Sequence, residues 1–573
     1  MVYVTPRGVP DEATGAPSNQ CRSWIGRVVR ASAAVAALAW PGASLGAGYT
    51  LGLTPDADPA SVTAAVERAT GERPRSLTPL RALAVETRPV GLHRLPGVAW
   101  VEPERVRRLS FVPSDPLASR QWYAVANRAY DAWETPPPLA PVRVAVIDSG
   151  ADLGHPDLAG RIVGARSFVG GSAQDTRGHG TIVAGIIAAE LDNATGIAGL
   201  APSAELLIAK VVAPSGTISV QAEARAIHWA VDNGARVLNI SLGGLRDPRN
   251  PSRDTFSRLE QEAVAYAVKK GAVIVAAVGN SDQAPRTPWR FASYPAALPH
   301  VLGVSALTRN GASPGFSNRD AVYNDVAAPG EDVISTFPRS LTVERAGCPD
   351  QGYTPCATSE FRPPEGTSFS APQVTAAAAN LLGARPLLRP DQVTAIIERT
   401  AADATPQTGC RACAPGRDAY TGWGALDATT AVEALGGQLP ARDGHEPNDD
   451  AGDDAFRLYF PAGEEARFVK ASVDFWDDQD DVYSVYLRRG EKLYASLVPS
   501  VLADVVLALW RPETVSVSDL ARQELRVRLS NRPGRRERLS WTATEEGWHF
   551  LHARLTAPST PPVAYRLSIV RTG

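Results

Sequence analysis

The sequence predicts an α/β protein: a doubly wound, mostly parallel sheet flanked by helices, with a small α/β unit before it and an all-β sandwich or jelly roll after it. Three observations lead there. Between residues 140 and 437, apolar β-branched runs (VRVAVIDSG, ARVLNISLGG, AVIVAAVGN, VLGVSAL) each stop at small residues or glycine, as strands buried on both faces do. Helix-like stretches alternate with them (GTIVAGIIAAEL, VQAEARAIHWAVDNG, LEQEAVAYAVKKG, APQVTAAAANLLG), which gives layers of helix on both sides of a parallel sheet. Beyond residue 443, period-two stretches such as DVYSVYL, KLYASLV, VVLALW, ELRVRLS, WHFLHARL and YRLSIV follow one another without helices, the signature of a sandwich.

The elements fall in order along 573 residues, enough chain for roughly two to four domains. Residues 1–48 are read as an extension plus export signal. Arg22, Arg27 and Arg30 precede ASAAVAALAWPGASLGAG, a basic region and then a short small-residue apolar run broken by Pro41, too short to span a bilayer. Met1 is the sole methionine, and translation is expected to start further in, near Val28. The expected location is therefore outside the cytoplasm, extracellular or periplasmic. Residues 49–112 hold one helical stretch, DPASVTAAVERATG, with Asp58 as cap before Pro59. The main domain is expected over 113–437, an acidic linker (DGHEPNDDAGDD) over 438–454 and the β-domain over 455–573.

Apolar residues make up 44% and charged residues 21%, with a formal net charge of −3. No global field favours nucleic acid or an anionic membrane, and no other segment is apolar enough to cross one. The cysteines are Cys21 and two close pairs, Cys348/Cys356 and Cys410/Cys413. The pairs are read as two short-range disulfides in an oxidising compartment rather than as a metal site.

Functional groups of a doubly wound sheet gather at the carboxyl ends of its strands. Asp148 closes VRVAVID, Ser241 follows ARVLNI, and Asn280 closes AVIVAAVGN, while His179 and Ser368 each stand where a helix begins. A hydroxyl becomes a nucleophile when an imidazole accepts its proton, and the imidazole needs a carboxylate to fix its tautomer. The resulting oxyanion needs fixed donors, here the Asn280 amide and the Ser368 backbone N–H. Taken singly, Asp148, His179 and Ser368 read as a turn former, a helix-end donor and an N-cap. The set as a whole carries the chemistry. His155 reads as a turn residue, His228 as packing on an amphipathic helix, and His445 as part of the linker.

AVIDSG, GHGTIVAG, SLGG, AAVGN and GTSFSAP, in that order, resemble the motif set of the subtilisin-like serine peptidases, over roughly residues 113–435. The order Asp, His, Ser separates that family from other triad peptidases. The resemblance implies hydrolysis of protein or peptide substrates through Asp148, His179 and Ser368, with Asn280 at the oxyanion. It implies that Ser241, Leu242, Gly243 and Gly244 pair with the substrate backbone. Ala277, Val278 and Gly279, with Ser293, would line a pocket for an apolar side chain before the cut. Residues 49–110, ending in LPGVAWVEPE, resemble the family's propeptide, an intramolecular inhibitor and folding aid removed by self-cleavage between Arg108 and Pro113. The C-terminal stretch resembles the bacterial pre-peptidase C-terminal domain, an accessory module.

The resemblance also implies a structural Ca²⁺ site. Asp157 in HPDL and Asn193 in LDNATGI would give side-chain oxygens, Leu191, Thr195 and Ile197 carbonyls, and Asp115 a further carboxylate. The sequence departs from the family pattern at three places: that loop is one residue longer, Ile182 stands where relatives often have histidine, and a long cysteine-bearing segment precedes GTSFSAP. Two competing classes are a catalytically silent scaffold, against which the complete triad and Asn280 speak, and a surface-binding protein led by the β-domain.

Overall fold

The computed structural model describes residues 48–573, apart from 87–90, 104–110, 133–137, 343–351, 357–363, 438, 440–443, 447, 453–454, 462, 475–477, 518–519, 533–535 and 557–561. The export signal, Cys348 and half of the expected self-cleavage stretch therefore lie outside the described residues.

Two compact units are present, and the first ends at Glu104, somewhat before the expected boundary near 112. It is a four-stranded antiparallel sheet of β1 (Tyr49–Leu53), β2 (Arg75–Ser76), β3 (Ala82–Val85) and β4 (Val98–Pro103), in the order β2-β3-β1-β4. Its α-helix among the described residues, α1 (Pro59–Thr70), starts as the sequence dictates. Asp58 accepts from the Ala60 and Ser61 N–H groups, Pro59 occupies the first turn, and Gly71 closes the helix at φ 74°. Val62 and Val66 on one helix face meet Leu51, Leu83 and Val85 of the sheet.

The second unit contains the seven-stranded sheet. Its strands are β5 (Val142–Asp148), β6 (Ile162–Ser167), β7 (Ala204–Lys210), β8 (Val237–Ile240), β9 (Val273–Ala277), β10 (Val301–Leu307) and β11 (Val326–Pro329). The order is β11-β10-β9-β8-β5-β7-β6 and every pairing is parallel. Alternate residues of β5 enter different cores. Val144 and Val146 join one that includes α3 (His179–Ala188), α6 (Thr367–Ala384), α7 (Pro390–Thr400) and α8 (Ala428–Ala434). Ala145 and Ile147 join the other, with α4 (Val220–Asp232) and α5 (Arg258–Lys269). Burial on both faces is why these strands read as unbroken apolar runs. The short α2 (Trp122–Ala126) precedes β5.

One polar pair interrupts the second core. Glu223 in the first turn of α4 and Glu260 in the first turn of α5 are each 3% exposed. Burial lifts Glu223 well above the usual carboxylate range, with repulsion from Glu260 adding to it. Burial likewise lifts Glu260, to about 7.

Nine strands form the C-terminal sandwich. One sheet has the order β12-β14-β19-β16-β17 and the other β13-β20-β15-β18. The strands are β12 (Phe456–Leu458), β13 (Ala466–Val473), β14 (Asp480–Leu487), β15 (Lys492–Pro499), β16 (Val505–Trp510), β17 (Arg526–Ser530), β18 (Glu537–Thr542), β19 (Gly547–Leu555) and β20 (Val563–Thr572). Strands β15 and β20 alternate exposed and buried residues, and the inward faces of both sheets share one core.

The acidic segment expected as a linker at 438–454 is not simply solvated. Its described part is docked: Asp450 accepts from Gln261 Nε2 at 2.8 Å and from the Val517 N–H at 2.7 Å. Ala451 and Ala455 are buried with Val482 and Trp510. An acidic run stays solvated only where no donors face it, and here both neighbours supply them. His445, expected in the linker, lies edge-on to Phe456. His155 does occupy a turn but is fully buried, with Nε2 2.6 Å from the Gly352 carbonyl. His228 stacks on Tyr266. Of the two expected disulfides, Cys410–Cys413 is present, closing a C-x-x-C spacing; Cys356 is buried.

Candidate active site

Three carboxyl ends of the parallel sheet and two helix starts converge. Asp148, 1% exposed, is the last residue of β5. His179 opens α3, and its Nδ1 lies 2.8 and 2.9 Å from the two Asp148 carboxylate oxygens. Gly178 before it adopts φ 95°, and a side chain there would strike the Phe337 ring. The imidazole side chain remains 34% exposed. Burial works against its charged form, but Asp148, by charge and hydrogen bond, leaves the His179 pKa above that of an ordinary histidine.

Ser368 is the second residue of α6, after Gly366 at φ 147°. Its Oγ donates to the Ser241 carbonyl at 3.0 Å, and the Ser241 hydroxyl donates back to the Ser368 carbonyl at 2.8 Å. Pro372 explains the second bond. Four residues on, it has no N–H to give that carbonyl, so Ser241 supplies the donor. The His179 ring lies 5.3 Å from that of Phe369, the residue following Ser368. Asn280 is held by its oxygen: Oδ1 accepts from the Thr367 N–H and hydroxyl, both at 3.1 Å. Its Nδ2 lies on the Gly366 side, where an added Cβ would meet it at 3.1 Å.

The expected substrate-contacting residues also come together. Ser241, Leu242, Gly243 and Gly244 run on from β8, and Gly244 exchanges backbone hydrogen bonds with Tyr294 at 3.0 and 2.9 Å. Ala277 ends β9, and Val278 O accepts from the Ser293 N–H at 2.8 Å. The Asn318 amide donates to Val278 O and to Ser293 Oγ, tying Val278, Gly279 and Ser293 into one wall.

Sequence reasoning missed the residues that hold these groups. Asp175, 1% exposed, accepts from the N–H groups of Arg177, Gly178 and Thr181 and from the Ser149 and Thr181 hydroxyls, fixing the start of α3. Its signal was an acidic residue just ahead of a helix start in DTRGHG. Thr367 and Asn318 were legible only as neighbours of motif residues.

The expected metal ligands are gathered as well. Asp115 and Asp157 are 4% and 0% exposed. Asp115 accepts from the Asp192 and Asn193 N–H groups. Asp157 accepts from Asn193 Nδ2 at 3.0 Å, the Ile197 N–H at 3.1 Å and the Tyr353 hydroxyl at 3.2 Å. Asn193 Oδ1 takes the Thr195 N–H, and Leu191 leads into the loop. Burial, with Asp115 repulsion a lesser cause, lifts Asp157 to about 6. Asp115 and Asp157 flank the Leu191–Ile197 loop from outside it, and both carboxylates are of the oxygen type that suits a hard cation.

A parallel sheet that brings a carboxylate, an imidazole and a hydroxyl to its carboxyl edge is of the class that suits nucleophilic hydrolysis. The profile of the subtilase family (peptidase S8) matches residues 140–424. The chain is 38% identical over 241 residues to thermitase of Thermoactinomyces vulgaris, covering 41% of this chain and 80% of that one. It is 38% identical over 264 residues to subtilisin DY of Bacillus licheniformis, covering 46% and 84%. Subtilisin Savinase of Lederbergia lenta is 40% identical over 240 residues, covering 42% and 75%. This chain belongs to the subtilase family and is a serine endopeptidase of the subtilisin type.

Proposed function

We propose that the protein is an exported endopeptidase that cuts peptide bonds through Asp148, His179 and Ser368 by way of an acyl-enzyme. The observation that carries this reading is the Asp148 carboxylate on His179 Nδ1. It leaves Nε2 as the base for the Ser368 hydroxyl, which reaches it by turning away from the Ser241 carbonyl. Hydrogen bonds of this kind often close only when substrate binds. His179 takes the proton as Oγ attacks, then returns it to the leaving amine; water repeats the cycle on the acyl group. Asn280, fixed through its oxygen by Thr367, presents its NH₂ to the developing oxyanion together with the Ser368 N–H.

The segment Ser241–Gly244 pairs with the substrate backbone as an added strand, and the wall of Ala277, Val278, Gly279 and Ser293 favours an apolar side chain before the cut. Residues 49–112 act as the propeptide and are removed by self-cleavage between Arg108 and Pro113. Ca²⁺ at Asp115, Asp157 and Asn193, with the Leu191, Thr195 and Ile197 carbonyls, supplies rigidity and no chemistry. Among the described residues no helix is long and apolar enough to cross a membrane.

The test is fluorophosphonate labelling of the processed protein beside Ser368→Ala. Labelling of the parent alone, with the variant accumulating uncut, supports the reading. A folded, processed parent that takes no label overturns it and favours the silent scaffold.

A further inference from the structure

The two sheets of the sandwich differ on their outer sides. On the five-stranded sheet, Ala508 and Trp510 of β16 are buried with Ala451 and Ala455 of the incoming segment. The four-stranded sheet β13-β20-β15-β18 stays wet on its outer side, and its register shows what that side carries. Odd-numbered residues such as Val469, Leu493, Leu539 and Leu567 fill the core, so even-numbered ones face out. Lys470 of β13 and Arg566 of β20 stand directly opposite each other. The next row runs from Phe468 on β13 to Arg538 on β18, and Tyr494 and Lys492 follow on β15. The other outward positions of the four strands hold only Ser, Thr, Ala and Val.

A chain with 58 basic and 61 acidic residues has thus sorted only bases onto this face. The turn into β18 adds more: NRPGRRER holds four arginines in eight residues, and Arg532, Arg536 and Arg538 are exposed. Glu537, the acid in that run, is fully buried, with Oε1 accepting from the Arg532 N–H at 2.8 Å. Among the described residues, Lys470, Lys492, Arg536, Arg538 and Arg566 have no carboxylate partner. The acids at the other end of the sheet are taken, Glu464 by Arg467 and Glu491 by Arg571. Like charges directly opposite on paired strands are destabilising, and an anion laid over Lys470 and Arg566 removes that cost. Between the cations stand two exposed rings, Phe468 (71%) and Tyr494 (41%), the latter 4.9 Å from Lys492 Nζ.

We infer that this face binds an acidic polysaccharide, a polymer of sugar rings bearing carboxylates, and anchors the chain to it. Arginine forks match carboxylates bidentately. The two rings offer flat apolar surfaces to the sugar faces, and the serine and threonine hydroxyls between them exchange hydrogen bonds with sugar hydroxyls. Single-stranded nucleic acid also combines charge with stacking, but it is gripped in a basic groove that tracks its backbone, whereas this face is an open sheet surface. The inference stands whether or not the chain cleaves peptides.

The test uses the full chain carrying Ser368→Ala, so that self-digestion does not interfere. Titration calorimetry measures binding of polygalacturonate, with neutral dextran and a single-stranded oligothymidine as comparisons. Polygalacturonate should bind, less tightly as salt rises, and dextran should not. Lys470→Gln with Arg566→Gln, and separately Arg536→Gln with Arg538→Gln, should each weaken binding roughly tenfold, as the loss of two exposed ion pairs does. Phe468→Ala with Tyr494→Ala should weaken it without changing its salt dependence. Arg258→Gln, at an exposed arginine of α5, should leave it unchanged, and circular dichroism checks that every variant folds. The inference fails if polygalacturonate does not bind at low salt, if dextran or oligothymidine binds as tightly, or if the three double variants bind like the parent. It fails too if Arg258→Gln weakens binding as much as they do, since the attraction would then belong to the whole chain and not to this face.

Discussion

The parallel sheet and the C-terminal sandwich bury similar residue types but spend their edges differently. In the sheet, both faces are covered, so polar chemistry is expelled to the carboxyl ends, where Asp148, Asn280 and the Ser241 segment sit. In the sandwich, strands such as β15 and β20 keep one wet face while β16 is buried on both, and buried polar groups gather where the incoming segment meets β14. Covering both faces makes an enzyme's sheet a device for localising function, whereas a sandwich is free to use a whole face or a rim.

The comparison breaks first at the nucleophile. Ser368→Ala is expected to lower turnover by roughly 10⁶-fold and to leave the N-terminal unit uncut, read by peptide hydrolysis and gel mobility. Asp148→Asn should cost about 10⁴-fold in kcat. His179 must be neutral to accept a proton, and Asp148 raises its pKa. The acid limb of kcat/KM should therefore lie above the pH of an ordinary histidine and move to lower pH in that variant; an unmoved limb would remove Asp148 from the mechanism. Asn280→Ala should lower kcat by 10²–10³-fold, about 3–4 kcal/mol, the magnitude known for a subtilisin oxyanion donor, with KM little changed.

Mutations in the sandwich sharpen the contrast. Leu551→Ala, at a fully buried β19 position, should destabilise by about 3 kcal/mol while leaving cleavage of short peptides unchanged. A matching loss of peptidase activity would mean that the two regions unfold as one. The smallest effect concerns Glu223 and Glu260. Their folded pKa values are raised, so folding takes up protons, and stability falls as pH rises from the ordinary carboxylate range to about 7. Glu260→Gln should flatten that decline, by on the order of 2 kcal/mol, in denaturation curves across that pH range.

Much of this was legible in the chain. The helix start at Asp58–Pro59 and its end at Gly71 followed from local cap chemistry, and the strand ending at Asp148 followed from an unbroken apolar run, whereas the run read as closing at Asn280 leaves the sheet at Ala277. Strand β6 was not, because as an edge strand it alternates half-buried and exposed residues, including Gly164 and Arg166. The site side chains were visible because each stands at an element boundary. Their supports were less so: Thr367 and Asn318 bond to Asn280 and Val278, distant along the chain, and Asp175 carries only the weak local signal of an acid ahead of a helix start. The acidic segment misled for a related reason: composition reports charge, but docking depended on Gln261 and Val517, which only the folded chain places opposite Asp450.

That single carboxylate has a mechanical meaning. Asp450 is gripped by α5 through Gln261 on one side and by the sandwich through Val517 on the other. Helix α5 follows directly from the segment beginning at Ser241. A load on the sandwich therefore reaches α5 through this one carboxylate, beside the paths that run through Arg399–Asp474 and His300–Asp449.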